Sequence, residues 1–161
     1  MQKYKFTGIT KEVYGRTLNQ IICVTAFASI KSGEIGGYIE KEANLSQDGD
    51  AWVYGDAKVF GDAKVYGDAE VCGEAILRRG FTEKVTDYIV IGPQGSRSSF
   101  ATFHLHSNTV CTGCFVGNLN EFKKAVYKTH NPDRGGVTFN NQYQRVIRVF
   151  EFLQEQDKDA Q

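Results

Sequence analysis

A six-residue repeat runs through the middle of the chain and restricts its possible folds more than any other feature. Residues 49–78 read GDAWVY, GDAKVF, GDAKVY, GDAEVC and GEAILR, so glycine, an acid, alanine and an aliphatic residue recur at fixed positions. Alternation within each hexad places the alanines and the aliphatic residues on one side of a strand. A fixed short period indicates one small structural unit stacked on copies of itself.

The repeat predicts both an interior and a set of corners. Glycines recur every sixth residue, where sharp corners would strain a bulkier residue. Strands, corners and a packed interior are therefore expected to alternate along the segment. The predicted interior row is apolar and narrow and consists of Ala51, Val53, Ala57, Val59, Ala63, Val65, Ala69, Val71, Ala75 and Leu77.

The stretch V-Y-G-D-A-K-V-F-G-D-A resembles the hexapeptide repeats of left-handed β-helix proteins, a family best known for acyltransferases. In that family three hexads form one triangular coil. The resemblance implies a short left-handed parallel β-helix over residues 36–79. Residues 1–35 are expected to supply cap strands, with GEIGG as the entry turn, because the end of such a coil leaves unpaired backbone.

The hexad pattern stops after Arg79, and residues 80–157 predict an α+β domain. KVTDYIVIG, SSFATFHLH and NTVCTGCFVG read as a three-stranded antiparallel meander separated by turn-forming clusters. Asn118 and Glu121 have the spacing of a capping box, and two amphipathic helices are expected after it. Residues 158–161 are expected to form a disordered tail.

Composition limits the cellular compartment and the classes of binding partner that we expect. Lysine plus arginine and aspartate plus glutamate both number 19, so no overall field favours nucleic acid or acidic membranes. Four cysteines and the absence of a long apolar run favour a reducing cytoplasm, without disulfides. Neither direct nucleic-acid binding nor membrane association is expected.

A second resemblance covers nearly the whole chain. GEIGGYIEKEANLS, the aromatic-bearing V-Y-G-D-A repeats, IGPQGSR, TGCF and NLNEF resemble uncharacterised phage and prophage proteins that contain hexapeptide repeats. The resemblance implies a bacterial host and a role in phage biology or against host defences, with anti-CRISPR activity among the candidates.

Large aromatic residues occupy outward positions of the repeat. Trp52, Tyr54, Phe60 and Tyr66 alternate with interior alanines and valines. Such residues commonly anchor buried interfaces, so they predict a homo-oligomer, by family resemblance a trimer, or contact with a partner. Aromatic stacks along each face of a single chain remain the alternative. The neighbouring aspartates are interpreted as turn caps rather than calcium ligands.

The C-terminal part contains a cysteine pair and a glycine-rich turn that could bind ligands. Cys111 and Cys114 have C-x-x-C spacing and follow His104 and His106, a set that could hold zinc, although core or strand-end cysteines fit the spacing better. The turn GPQGSRSS could present Ser96, Arg97 and Ser98 to an anion.

The segment FKKAVYKTHNPDRGG resembles the His-Pro-Asp loop of J-domains, which recruit Hsp70. His130, Asp133 and Arg134 are its candidate partner-binding residues, although Asn131 interrupts the motif. An ordinary helix–turn–helix with an exposed loop is the simpler interpretation.

These features predict a non-catalytic oligomeric phage protein that counteracts a host defence by binding a host protein or by sequestering a signalling nucleotide. No catalytic residue, cofactor or metal is assigned. The acyltransferases that the repeat resembles use a histidine as general base, whereas all three histidines of this chain lie outside the repeat. A hexapeptide-type acyltransferase and a virion scaffold remain the alternatives.

Overall fold

A computed structural model describes residues 2–159, except for the side chains at 157–159. The chain divides into two compact units, Met1–Asp87 and Tyr88–Gln161. Residues 160 and 161 of the predicted tail lie outside the described residues, and the backbone is helical as far as Asp159. No helix in the described part of the chain is both long enough and apolar enough to cross a membrane.

The N-terminal unit begins with a long antiparallel hairpin. Strands β1 (Tyr4–Val13) and β2 (Arg16–Cys23) flank a two-residue turn at Tyr14 and Gly15, both with positive φ, as such hairpin turns require. Strand β3 (Ile35–Ile39) pairs antiparallel with β2. Part of GEIGG, predicted as an entry turn, therefore belongs to a strand.

The hexads form strands of two residues each, and each of the first three pairs in parallel with the third strand after it. These pairings place copies of the repeat on top of one another. Strand β5 also pairs in parallel with β3, so one sheet joins the repeat to the N-terminal hairpin. The five hexads form β4 (Trp52–Val53), β5 (Lys58–Val59), β6 (Lys64–Val65), β7 (Glu70–Val71) and β8 (Ile76–Leu77), and β9 (Phe81–Thr82) follows the last hexad.

The predicted interior row is confirmed, since all ten of its side chains are at most 1% exposed. The predicted corner glycines also have positive φ. At Gly61, where φ is 65°, a Cβ atom would lie only 2.8 Å from the carbonyl oxygen of Arg78, the residue that follows strand β8. This corner therefore requires glycine both for its backbone angle and for the close approach.

The predicted architecture is wrong in two respects. The N-terminal unit is not a continuous left-handed parallel β-helix but several small sheets: one of five strands, partly antiparallel, and two of two strands. The short hexad strands and the hairpin explain this division. The predicted three-stranded meander is a four-stranded antiparallel sheet, because NTVCTGCFVG turns at Gly113 and forms two strands.

The C-terminal unit packs two helices on that four-stranded sheet. Its strands are β10 (Tyr88–Gln94), β11 (Ser99–His104), β12 (Thr109–Thr112) and β13 (Phe115–Gly117), paired in chain order. Helix α1 spans Leu119–Thr129 and helix α2 spans Val137–Asp159. The core between sheet and helices includes Phe103 stacked on Phe150, with ring centroids 4.8 Å apart.

The predicted capping box at the start of α1 is confirmed. The backbone N–H of Glu121 donates to Asn118 Oδ1 at 2.9 Å, and the backbone N–H of Asn118 donates to Glu121 Oε2 at 2.8 Å. Helix α1 therefore begins where the sequence places it, and its direction fixes the side chains that face the sheet.

Candidate ligand pocket in the C-terminal unit

A cavity of about 460 Å³ lies within the C-terminal unit. It is formed by the β10–β11 turn, the β12–β13 turn, helix α1 and the beginning of α2. Its volume falls within the range typical of small-molecule sites. The lining residues are Ser96, Arg97, Ser99, Thr112, Gly113, Cys114, Phe115, Phe122, Ala125, Val126, Thr129, His130 and Tyr143.

The β10–β11 turn is anchored on helix α2. The backbone N–H of Gly95 donates to Gln142 Oε1 at 2.9 Å. A Cβ atom on Gly95 would lie 2.2 Å from the Tyr143 hydroxyl oxygen, and φ at this position is 72°. Only glycine therefore allows the turn to lie against the tyrosine. This contact places Arg97 at the edge of the cavity.

Arg97 is the only lysine or arginine among the residues that line the pocket. Its side chain is exposed, and its Nη1 lies 3.9 Å from Cys114 Sγ. Burial raises the pKa of the Tyr143 phenol, and the positive charge of Arg97 opposes that rise. The pocket thus has one permanent positive charge at its edge, near enough to Tyr143 to act on its hydroxyl electrostatically.

The interior of the pocket is largely aromatic. The rings of His130 and Tyr143 are stacked, with centroids 5.4 Å apart and planes 20° apart. Phe122 meets Tyr143 edge-on at 5.8 Å, and Phe115 lies 5.4 Å from Phe122. Phe122 and Tyr143 belong to the core of the unit and are 2% and 9% exposed, whereas Phe115 and His130 are half-buried and retain surface toward the pocket.

Thr112 lines the pocket and contains an unsatisfied polar atom. The residue is 8% exposed, and its Oγ1 is shielded from solvent without a hydrogen-bond partner. A buried hydroxyl without a partner destabilises the fold by about 1–3 kcal/mol.

The structure brings together three of the six loop residues that the sequence nominated. Ser96, Arg97 and His130 line the same pocket, although their sequence positions suggested two separate loops. Asp133 and Arg134 lie in an exposed single-turn 3-10 helix, where the backbone N–H of Asp133 donates to Asn131 Oδ1 at 2.8 Å. Ser98 is exposed and does not line the pocket.

Sequence reasoning missed Thr112 as a polar pocket residue, and Phe122 and Tyr143 as its aromatic wall. Phe122 and Tyr143 fall on the apolar faces of α1 and α2, which is the pattern of ordinary core residues. The glycine at position 95 is what allows the turn to approach Tyr143 closely. The sequence alone does not reveal this role, because it depends on where helix α2 lies.

The four repeat aromatics differ sharply in burial. Trp52 packs edge-on against Tyr4 and Phe27, at 6.3 and 5.6 Å, and is fully buried. Phe60 is also fully buried, and its ring lies beneath the Arg78 guanidinium at 5.3 Å. These two rings are therefore covered by other segments of the same unit and offer no surface to a partner.

Tyr54 and Tyr66 retain exposed surface. Tyr54 is half-buried and its hydroxyl donates to Glu70 Oε1 at 3.2 Å. Tyr66 is 36% exposed and meets Phe81 edge-on at 6.2 Å. The interface prediction stays a prediction, and it now depends on these two tyrosines.

The cysteine and histidine residues that suggested a zinc site do not form a ligand set. Cys111 is buried in β12, whereas Cys114 is exposed in the following turn. His104 is buried, and its Nδ1 lies 2.9 Å from Ser107 Oγ. Across the described residues, no three or more histidine, cysteine, aspartate and glutamate side chains are grouped closely enough to hold a metal ion.

Comparison with known proteins gives no family assignment. No family model matches the chain, and no curated protein matches it. Functional inference therefore depends on the geometry of the pocket.

Proposed function

We propose that the chain is a binding protein that sequesters a small phosphorylated ligand in the pocket of its C-terminal unit. The observation that carries this proposal is the position of the Arg97 guanidinium at the edge of a cavity that the half-buried rings of Phe115 and His130 also line. A guanidinium binds phosphate oxygens through parallel hydrogen bonds, and Ser96 and Ser99 add hydroxyl donors on the same turn.

The biological setting of the proposal comes from the sequence. The resemblance to phage hexapeptide-repeat proteins supports a protein made in the cytoplasm of an infected bacterium, where capture of a signalling nucleotide would counteract a host defence. The repeat segment contains no histidine, which disfavours the acyltransferase alternative.

Equilibrium dialysis against a metabolite extract of bacterial cells tests this function. We expect the wild-type chain to enrich a phosphorylated metabolite, identified by mass spectrometry after denaturation. Arg97→Gln should abolish that enrichment, because it removes the only positive charge of the pocket. Arg148→Gln is the matched control: Arg148 is also exposed in the same unit, but it does not line the cavity.

Failure of enrichment by the wild-type chain would contradict the proposal. Equal enrichment by wild type and Arg97→Gln would contradict it as well, because binding would then lie elsewhere. In either case a host protein would become the better candidate for the partner.

We also propose that the N-terminal unit mediates homo-oligomerisation, by resemblance as a trimer, through Tyr54 and Tyr66. Their partial exposure supports this, whereas Trp52 and Phe60 are occupied within the chain. Native mass spectrometry of the wild type should show an oligomer, and the Tyr54→Ser, Tyr66→Ser double variant should be a monomer. An unchanged oligomer in the double variant would assign the interface to other residues.

A further inference from the structure

The charge of the chain is balanced overall but not along its length. Basic and acidic residues number 19 each in the whole sequence. Residues 119–150, by contrast, include six basic and only two acidic residues. The overall balance, from which no nucleic-acid binding is expected, therefore conceals a local excess of positive charge in the segment that forms α1 and most of α2. The six basic residues are Lys123, Lys124, Lys128, Arg134, Arg145 and Arg148.

Helix α1 directs two lysines away from the core. Its residues Phe122 and Val126 are buried against the sheet, whereas Lys124 and Lys128 are exposed. Residues four apart lie on one face of a helix, about 6 Å apart along its axis. Tyr127, three residues after Lys124, is 54% exposed. The outward face of α1 therefore presents two cations and one aromatic ring.

Helix α2 has a similar outward face. Its residues Ile147 and Phe150 are buried in the core, whereas Arg145, Arg148 and Phe152 are exposed. These three positions follow the spacing of one helix face and extend over about 10 Å along the axis. The ring of Phe152 is not needed by the core, since the residue is 59% exposed. The outward face of α2 therefore presents two further cations and a second aromatic ring.

Contacts between the helices bring these two faces side by side. Lys123 of α1 forms an ion pair with Glu151 of α2, and His130 at the end of α1 stacks on Tyr143 near the beginning of α2. The helices are therefore antiparallel neighbours on one side of the sheet. The helical basic face is the outward surface that they share, formed by Lys124, Tyr127, Lys128, Arg145, Arg148 and Phe152.

The four cations of the helical basic face are available to a ligand. None of them forms a hydrogen bond or an ion pair through its side chain with any side chain that the structure describes. Two nearby acids are occupied: Glu121 Oε2 accepts from the backbone N–H of Asn118, and Glu151 pairs with Lys123. Glu155 is exposed and ends the basic stretch. Unpaired cations close together on one surface attract a polyanion.

The exposed rings of Tyr127 and Phe152 distinguish between classes of polyanion. An acidic protein surface or an anionic lipid headgroup supplies negative charge but no planar ring system. A nucleic-acid duplex keeps its bases stacked inside. A single strand supplies both phosphates for the cations and unstacked bases for the rings. A membrane-surface helix needs a broad apolar face, whereas this face is mostly charged.

We propose that the helical basic face binds single-stranded nucleic acid, with phosphates on its four cations and bases stacked on Tyr127 and Phe152. This binding goes beyond the proposed function, because none of the six residues of the face lines the pocket beside Arg97. A small metabolite spans too few of these cations to bind firmly. Arg148→Gln therefore still serves as a control for the pocket in the dialysis experiment.

Fluorescence anisotropy of the full chain with labelled single strands of about twelve nucleotides tests this binding. The probes are one sequence as RNA, the same sequence as DNA, and the corresponding duplex. We expect a single strand to bind about tenfold or more tightly than the duplex. The logarithm of its binding constant should fall with the logarithm of salt concentration at a slope of about −3, because each neutralised phosphate of a single strand contributes roughly −0.7. The RNA and DNA arms show which single strand is preferred.

Two lysine pairs assign the charge contribution. The double variant Lys124→Gln, Lys128→Gln should weaken binding about tenfold or more at low salt and reduce the slope to about −1.5. The double variant Lys5→Gln, Lys31→Gln is the matched control, since both residues are exposed in the N-terminal unit and the net charge of the two variants is the same. It should keep the affinity and the salt slope of the wild type. All four side chains are exposed, so both variants should retain the circular dichroism of the wild type.

Ring substitutions assign the stacking contribution. Tyr127→Ala and Phe152→Ala should each weaken binding about fivefold or more, the loss typical of one stacked base. Neither should change the salt slope, because stacking on a neutral ring releases no counterion. Val149→Ala is the matched control: Val149 is 40% exposed on the same helix but has no ring, so its loss should change affinity less than about twofold.

Several outcomes would overturn this inference. Equal losses in the two lysine pairs would mean that the total charge of the protein, and not the helical basic face, controls binding. Duplex binding as tight as that of the single strand would remove the role of the rings. Equal or tighter binding of poly-glutamate or of phosphatidylserine vesicles would assign the face to an acidic protein or to a membrane. None of these outcomes changes Arg97-dependent enrichment of a metabolite, so the two proposals stand or fall separately.

Discussion

Each of the two units buries one polar side-chain atom that has no hydrogen-bond partner among the described residues, and the surroundings of these atoms differ. In the N-terminal unit it is Nε1 of Trp52, whose ring is packed between Tyr4 and Phe27. In the C-terminal unit it is Oγ1 of Thr112, whose residue lines a cavity. The first is enclosed by aromatic packing, whereas the second is shielded within a strand residue whose other atoms line a pocket.

The two units also differ in where along the chain their packed residues come from. The repeat interior is built from small side chains that recur every few residues, and these side chains are at most 1% exposed. The pocket instead gathers residues between Ser96 and Tyr143, from two turns and two helices. Both units have a pocket of about 460 Å³, but the pocket of the N-terminal unit is lined by residues of one repeat strand, of β9 and of the segment 42–47, whereas the other is formed by two turns and two helices.

The largest expected effect tests whether the two units are independent in stability. Phe150→Ala removes a fully buried ring that is stacked on Phe103 and should destabilise the C-terminal unit by about 3–5 kcal/mol. Urea unfolding followed by the circular dichroism of the two helices should show this loss. The fluorescence of Trp52, the only tryptophan, should keep its wild-type midpoint because it reports the N-terminal unit.

Phe152→Ala is the matched control for that variant. Phe152 lies on the same helix and is 59% exposed, so its loss should change stability by less than about 0.5 kcal/mol. If Phe150→Ala lowered the Trp52 midpoint as much as the helical midpoint, the two units would unfold as one and the comparison between them would fail.

A smaller effect separates two costs of replacing a corner glycine of the repeat: the strained backbone angle and the steric clash of the added Cβ atom. Gly73 has φ of 63° and open space around the position of a Cβ atom, so Gly73→Ala should cost only the backbone term, about 1–2 kcal/mol. Gly61→Ala should cost about 1 kcal/mol more, since its Cβ would press on the carbonyl of Arg78. Urea midpoints from Trp52 fluorescence measure both, and equal losses would show that stacking at Gly61 is looser than the structure indicates.

The sequence predicted the burial that follows from alternation along a strand. It did not predict the burial that depends on segments distant in the chain. Burial of Ala51 or Val65 follows from its place in the hexad. Burial of Trp52 and Phe60 does not, because alternation tells which side of the strand a residue occupies and not which segment packs on that side. Here residues of the N-terminal hairpin region, among them Tyr4 and Tyr14, cover those rings.

The same limit applies to the sheet and the pocket of the C-terminal unit. The spacing of Cys111 and Cys114 predicts a possible ligand pair or strand-end cysteines. In the structure, Gly113 between them forms a turn that creates a fourth strand. Local composition predicts Ser96 and Arg97 as ligand-binding residues, and the resemblance to the His-Pro-Asp loop predicts His130 as a partner-binding residue. Their meeting with Thr112 and Tyr143 depends on helix packing across many residues, which spacing along the chain does not encode.

The smallest expected effect concerns the unsatisfied hydroxyl of Thr112 in the C-terminal unit. Thr112→Val keeps the shape of the side chain and removes the hydroxyl that has no partner, so the ligand-free C-terminal unit should gain about 1 kcal/mol. Thr109→Val is the matched control on the same strand, because Thr109 is also buried but its Oγ1 donates to the carbonyl of Ser107 and accepts from Ser107 Oγ. That variant should lose about 1 kcal/mol. Helical circular dichroism in urea measures both changes.

A loss of stability in Thr112→Val equal to that in Thr109→Val would mean that the Thr112 hydroxyl already has a protein partner. A gain would instead mean that the fold tolerates a buried hydroxyl without a partner, because the strand pairing and the core around Thr112 outweigh its cost.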